Sequence, residues 1–145
     1  MVARTPFNAK HFGGTVEMIF RAEAAKRGYH PFNAPSGDHL ALDAIVYNTE
    51  NRKTYRVQIK STSVESTGES RGKCYRIITS KGARGALKPE HFDVLACYIQ
   101  PHDAWYLLPN EKRLIGGASL KFYPHVSNSR SKMTPFLNNW EIFNT

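Results

Sequence analysis

The chain has 145 residues, 41% hydrophobic and 12% aromatic, which is apolar material enough for one packed core and too much for a disordered chain. Lysine and arginine number 20 against 12 acidic residues, and the resulting formal charge of +8 attracts polyanions, nucleic acid first among them. No apolar run approaches the roughly 20 residues that cross a bilayer and residues 1–6 hold no signal-peptide core, so a cytoplasmic protein is expected.

Between residues 11 and 27, Phe12, Val16, Ile19, Phe20 and Ala24 recur at three- and four-residue spacing, the pattern of an amphipathic helix that Gly28 closes. Glu17 stands one step from Val16, about 100° around the axis, and so beside the buried stripe. Arg21 at i+4 is its local partner on the helix surface, and an acid reaching across to a neighbouring sheet is the other reading. Residues 29–33 form a short first strand, and residues 35–38 are turn chemistry that carries Asp38 and His39 back toward Asp43. Residues 42–47 and 54–61 then read as two strands joined by the turn-prone run 48–51, a hairpin. Side chains two apart share a face, so Gln58 and Lys60 project together while Val57 and Ile59 turn the other way. In such a hairpin Asp43 comes close to Gln58 and Lys60. An acid, a second oxygen ligand and a lysine at one end of a hairpin are the parts that hold a divalent metal and activate water against a phosphodiester. Taken alone, residues 56–60 fit an ordinary amphipathic strand with a solvated face better than a catalytic one.

Residues 61–73 are polar and glycine-punctuated, a loop of the kind that leaves a site and grips substrate, with Ser61, Thr62, Arg71 and Lys73 as expected DNA contacts. Residues 74–79 read as a strand. In residues 80–88 basic side chains interleave with glycines, which makes Lys81, Arg84 and Lys88 further candidates to meet phosphates. The apolar runs 92–99 and 104–109 complete the central sheet. Cys74 and Cys97 lie in such runs without CxxC spacing and are expected to be reduced core thiols, while the six histidines include no pair spaced to bind zinc. Residues 127–132 are a polar linker. Residues 136–143 are apolar enough to pack on the core or on another subunit, and the sequence leaves both open.

These parts, in this order, resemble the PD-(D/E)XK, or restriction-endonuclease-like, nuclease superfamily, whose hallmark is an Asp, a variable hairpin and an acid-x-Lys strand, with a Glu from a preceding helix. Asp43, Gln58-Ile59-Lys60 and Glu17 occupy those places; Gln58 replaces the usual acid, and Leu42 stands where proline is usual. The Gln form is similar to the group I intron-encoded homing endonucleases of that superfamily, whose order of parts matches residues 11–63. The resemblance implies an α/β restriction-endonuclease-like core with a mixed central sheet of four to five strands flanked by helices. It implies a single nuclease domain over 1–145, with its core in about 11–110 and a C-terminal extension at 126–145. It further implies catalysis by Glu17, Asp43, Gln58 and Lys60, and Mg²⁺, replaceable by Mn²⁺, held by Asp43, Glu17, Gln58 and the Ile59 carbonyl. The substrate would be double-stranded or branched DNA and the working form a homodimer or higher homo-oligomer. Three functions stay open: a homing or mobile-element endonuclease, a junction-resolving or repair nuclease, and an inactive DNA-binding module, the last suggested by Gln58.

Overall fold

The computed structural model describes residues 9–34, 42–66, 74–79, 91–117, 119–126 and 129–145. The turn expected at 35–38, together with Asp38, His39, Arg71, Lys73, Lys81, Arg84 and Lys88, lies outside the described residues.

Helix α1 (Ala9–Lys26) buries Val16, Phe20 and Ala24, the stripe that their spacing dictates. It ends in a paired closure: Tyr29 N–H donates to the Ala24 carbonyl and Gly28 N–H to that of Ala25. This hydrogen-bond pattern needs a left-handed residue just past the helix, and Gly28, at φ 90°, supplies it. Strands β1 (His30–Asn33), β2 (Ala44–Asn48) and β3 (Lys53–Thr62) follow as an antiparallel meander. Then come β4 (Glu65–Ser66), β5 (Cys74–Ile78), β6 (Val94–Ile99), β7 (Ala104–Pro109), the one-turn helix α2 (Lys112–Ile115) and β8 (Ser119–Phe122). Short 3-10 turns at Gln100–His102, Thr134–Phe136 and Trp140–Asn144 complete the described elements.

Five strands form the central sheet in the order β1-β2-β3-β6-β7, mixed because β3 and β6 run parallel while the other neighbours are antiparallel. This is the restriction-endonuclease-like α/β core that the resemblance implies. A second antiparallel sheet, β4-β5-β8, is not foreseen by the sequence pattern. Residues 61–73 read as loop throughout, but β3 runs on to Thr62 and β4 pairs with β5, Glu65 opposite Tyr75. The strand at 74–78 accordingly belongs to this second sheet, and β8 leaves no clear sequence signal, being four residues whose inward positions are only Leu120 and Phe122.

Both faces of the central sheet are covered. On one, α1 and the C-terminal turn pack against Val57, Ile59, Ala96 and Leu107, with the Phe20 ring 5.5 Å from Trp105 and 5.6 Å from Trp140. The apolar residues of the chain's end, Trp140, Ile142 and Phe143, therefore lie in the protein's own core. Asn48 fixes them there, its side-chain amide donating to the Phe143 carbonyl at 2.8 Å. On the other face, Tyr75, Ile77, Leu120 and Phe122 of the second sheet close over Leu95, Cys97 and Ile99. Cys74 and Cys97 are buried free thiols. No described helix is long and apolar enough to cross a membrane.

Candidate active site

Strand β3 changes partner halfway along. Residues 53–57 pair with β2 and residues 57–62 with β6, so Val57 is the point at which β3 has a neighbour on both edges. Beyond it β2 diverges, and Asp43 takes over the exposed edge. The Asp43 N–H donates to the Val57 carbonyl at 2.9 Å, and its carboxylate then accepts the Ile59 N–H at 2.8 Å and the Gln58 amide at 3.1 Å. A side chain thus stands in for the missing strand. The N–H and C=O of one strand residue point to the same edge, so the Ile59 carbonyl projects toward Asp43 as well.

Helix α1 brings the second acid. With Val16 and Phe20 locked into the core, half-buried Glu17 reaches the fork within hydrogen-bonding range of Asp43. Burial, the Asp43 charge and that contact raise the Glu17 pKa above the usual glutamate range, and Arg21 offsets only part of this. The electrostatic partner of Glu17 is therefore Asp43 more than its neighbour along the helix. Asp43 is raised too, mainly by burial, although the Ile59 N–H, the Lys60 charge and Glu17 pull the other way. Two carboxyls pressed together with raised pKa values form a site poised for a cation.

Gln58 is buried, at 7% exposure, and its amide oxygen has no hydrogen-bond partner among the described residues. Such an orphan costs about 1–3 kcal/mol unless something else satisfies it. Lys60, half-buried, lies on the same face of β3 and opposite Cys97 of β6. Burial pushes the Cys97 thiol well above its ordinary value despite the Lys60 charge, so the thiol stays protonated. Ser61 and Thr62 end β3, and the Thr62 hydroxyl meets both the N–H and the carbonyl of Val64 at 3.4 Å as the chain turns into β4.

The fold brings Glu17, Asp43, Gln58, the Ile59 backbone and Lys60 together, with Ser61 and Thr62 on the outgoing strand. All the oxygen donors are hard, the kind that Mg²⁺ or Mn²⁺ selects, and the residues fit such an ion. Among the described residues no cluster of three His, Cys, Asp or Glu exists, so the set depends on the amide and the backbone carbonyl as well as the acid pair. Sequence reasoning missed Asp93, which clamps β3 from the β6 side: its carboxylate accepts the Arg56 N–H at 2.8 Å and the guanidinium at 3.0 and 3.2 Å. An Asp immediately before an apolar strand was the available signal.

A family model described as PD-(D/E)XK endonuclease matches residues 7–143. Among solved structures, a bacterial homing endonuclease, I-Ssp6803I, shares the fold with a TM-score of 0.74 over 95% of both chains, at 19% sequence identity. No protein of curated function matches. The match runs through nearly the whole chain and includes the fork with its acid pair: this protein belongs to the PD-(D/E)XK endonuclease family and is a nuclease.

Proposed function

We propose that this nuclease is a divalent-metal-dependent DNA endonuclease of the homing or mobile-element kind, working as a single domain. The observation that carries the metal site is the contact of Glu17 with Asp43 at the fork, where two acids share one end of the hairpin and both have raised pKa values. Asp43, Glu17, the Ile59 carbonyl and the Gln58 amide oxygen would hold Mg²⁺ or Mn²⁺, which supplies Lewis acidity and a more acidic bound water. The Gln58 NH₂ faces Asp43; a half-turn of the amide exchanges donor and acceptor and brings its oxygen to the acids. Lys60, beside Asp43, orients the attacking water and meets the negative charge that grows on the phosphorus oxygens as the P–O bond breaks. The +8 charge draws in the DNA. Severing both strands of a duplex calls for two sites, which two copies related by two-fold symmetry provide.

The test is cleavage of supercoiled plasmid with Mg²⁺ and with chelator, for the wild type, Asp43→Ala and Lys60→Ala. Cleavage should require the metal and fall by about 10²-fold or more in both variants, while DNA affinity survives because one charge among many changes little of the field. Undiminished cutting by Lys60→Ala would refute its role. A wild type inert under every metal condition would make the chain a DNA-binding module, and a preference for four-way junctions over linear duplex would make it a resolving enzyme.

A further inference from the structure

The second sheet turns an outward face to solvent on which two cations stand directly opposite each other, Arg76 of β5 and Lys121 of β8. Their strand neighbours Tyr75, Ile77, Leu120 and Phe122 all point inward to the core, so the outward positions are not needed for packing. Beside Lys121 opens a cavity of about 390 Å³, between β8 and residues 130–133. Ser119, Lys121, Tyr123, Arg130, Ser131 and Lys132 line it, with the buried core residues Leu120 and Met133 beneath. Three cations and three hydroxyls converge there, and no carboxylate is among the described lining residues. The rim is held in shape: the Ser129 hydroxyl accepts the Ser131 N–H, the Ser131 hydroxyl accepts the Met133 N–H, and the Lys132 ammonium donates to the Arg113 carbonyl.

Cations and hydroxyl donors gathered in a hollow suit phosphate oxygens, since each contact to the anion is charge-assisted or a donated hydrogen bond. The cavity is not part of the cleavage site. It is lined from the outward side of β8, whereas Gln58 and Lys60 belong to the central sheet, about 10 Å away across a face-to-face stack. We propose that this basic hollow, with Arg76 at its side, is a second phosphodiester grip, which holds the DNA backbone away from the bond being cut. The proposal rests on the reading of DNA as the substrate. It assigns a role to residues 129–132, which the sequence presents only as a polar linker.

The experiment is the salt dependence of binding to a fluorescently labelled duplex, read by anisotropy in chelator so that cleavage plays no part. Four proteins are compared: the wild type, the triple variant Lys121→Ala/Arg130→Ala/Lys132→Ala, the charge-keeping Lys121→Arg/Lys132→Arg, and a control, Lys26→Ala/Arg52→Ala/Lys53→Ala. The slope of log affinity against log salt should flatten by about 0.9 for each phosphate that is no longer neutralised, hence by about two to three units in the first triple variant alone. An unchanged slope in that variant, or an equal flattening in the control, overturns the grip. Calorimetry with inorganic phosphate is the remaining arm: phosphate binding that disappears in the triple variant, with its DNA slope intact, makes the hollow a small-anion site and also overturns the proposal. A wild type that cuts plasmid while the triple variant keeps its slope sinks the grip and leaves the nuclease standing; a flattened slope in a protein that never cuts does the reverse.

Discussion

Each edge of β3 is closed by an aspartate that precedes the neighbouring strand, Asp43 before β2 and Asp93 before β6, and each accepts a β3 backbone N–H. Their surroundings send them in opposite directions. Burial tends to raise Asp93, but the Arg56 guanidinium and N–H outweigh it and hold the carboxyl below its ordinary value, so it remains an ionised clamp. Asp43 is raised, because burial outweighs the Ile59 N–H, the Lys60 charge and the Glu17 contact that pull it down. A raised folded-state pKa means stability that is present below the ordinary carboxyl range and lost as pH climbs through the raised value. Metal-free protein should therefore lose stability on going from mildly acidic to neutral pH. Glu17→Gln should melt above the wild type at pH 7 in chelator, by less than about 1 kcal/mol because Glu17 is partly solvent-screened, and the gap should vanish in acid. Mg²⁺ should raise the melting temperature of the wild type and not that of Asp43→Ala, a shift that calorimetry reads without any cleavage. Gln58 makes the sharper residue-scale prediction. Gln58→Ala should cut activity about 10²-fold by removing an oxygen ligand, whereas Gln58→Glu should retain cleavage with altered metal preference. If Gln58→Ala titrates with Mg²⁺ and Mn²⁺ as the wild type does, the residue is only a polar strand position.

At the scale of elements, the β2–β3 turn carries a local cost. Arg52 sits there at φ 58°, a left-handed conformation that glycine adopts without strain. Arg52→Gly should stabilise the hairpin by about 1 kcal/mol, visible as a higher denaturant midpoint with unchanged slope. The hairpin, α1 and the β6–β7 pair were all legible in the sequence, because each declares itself locally: helical spacing through Val16, Phe20 and Ala24, alternation through Tyr55, Val57 and Ile59, and an unbroken apolar run in β6, buried on both faces. The second sheet was not legible. Its strands are short and take their burial from partners far along the chain, such as Leu120 on the inner face of β8. At the site, the spacing of Asp43, Gln58 and Lys60 along a hairpin foretold their meeting. The closeness of Glu17 to Asp43 depends on how a helix crosses a sheet, which local pattern does not encode.

Over the whole molecule, the core is closed by both ends of the chain. Phe20 of α1 stacks on Trp140, and Phe143 meets Tyr29 and Tyr55 edge to face. Trp140→Ala or Phe143→Ala should each cost about 3–5 kcal/mol, and thermal melting should show the loss without any change of residue at the candidate site. Every residue assigned to the cleavage site lies between positions 17 and 60, yet β3 gains its parallel neighbour only with β6, and α1 gains its aromatic backing only with Trp140 and Phe143. During synthesis the acids and the lysine therefore emerge before the strand and the aromatic residues that hold them in register. A nascent chain that has exposed Lys60 but not yet Trp140 and Phe143 carries the residues of the candidate site without the packing that holds them together.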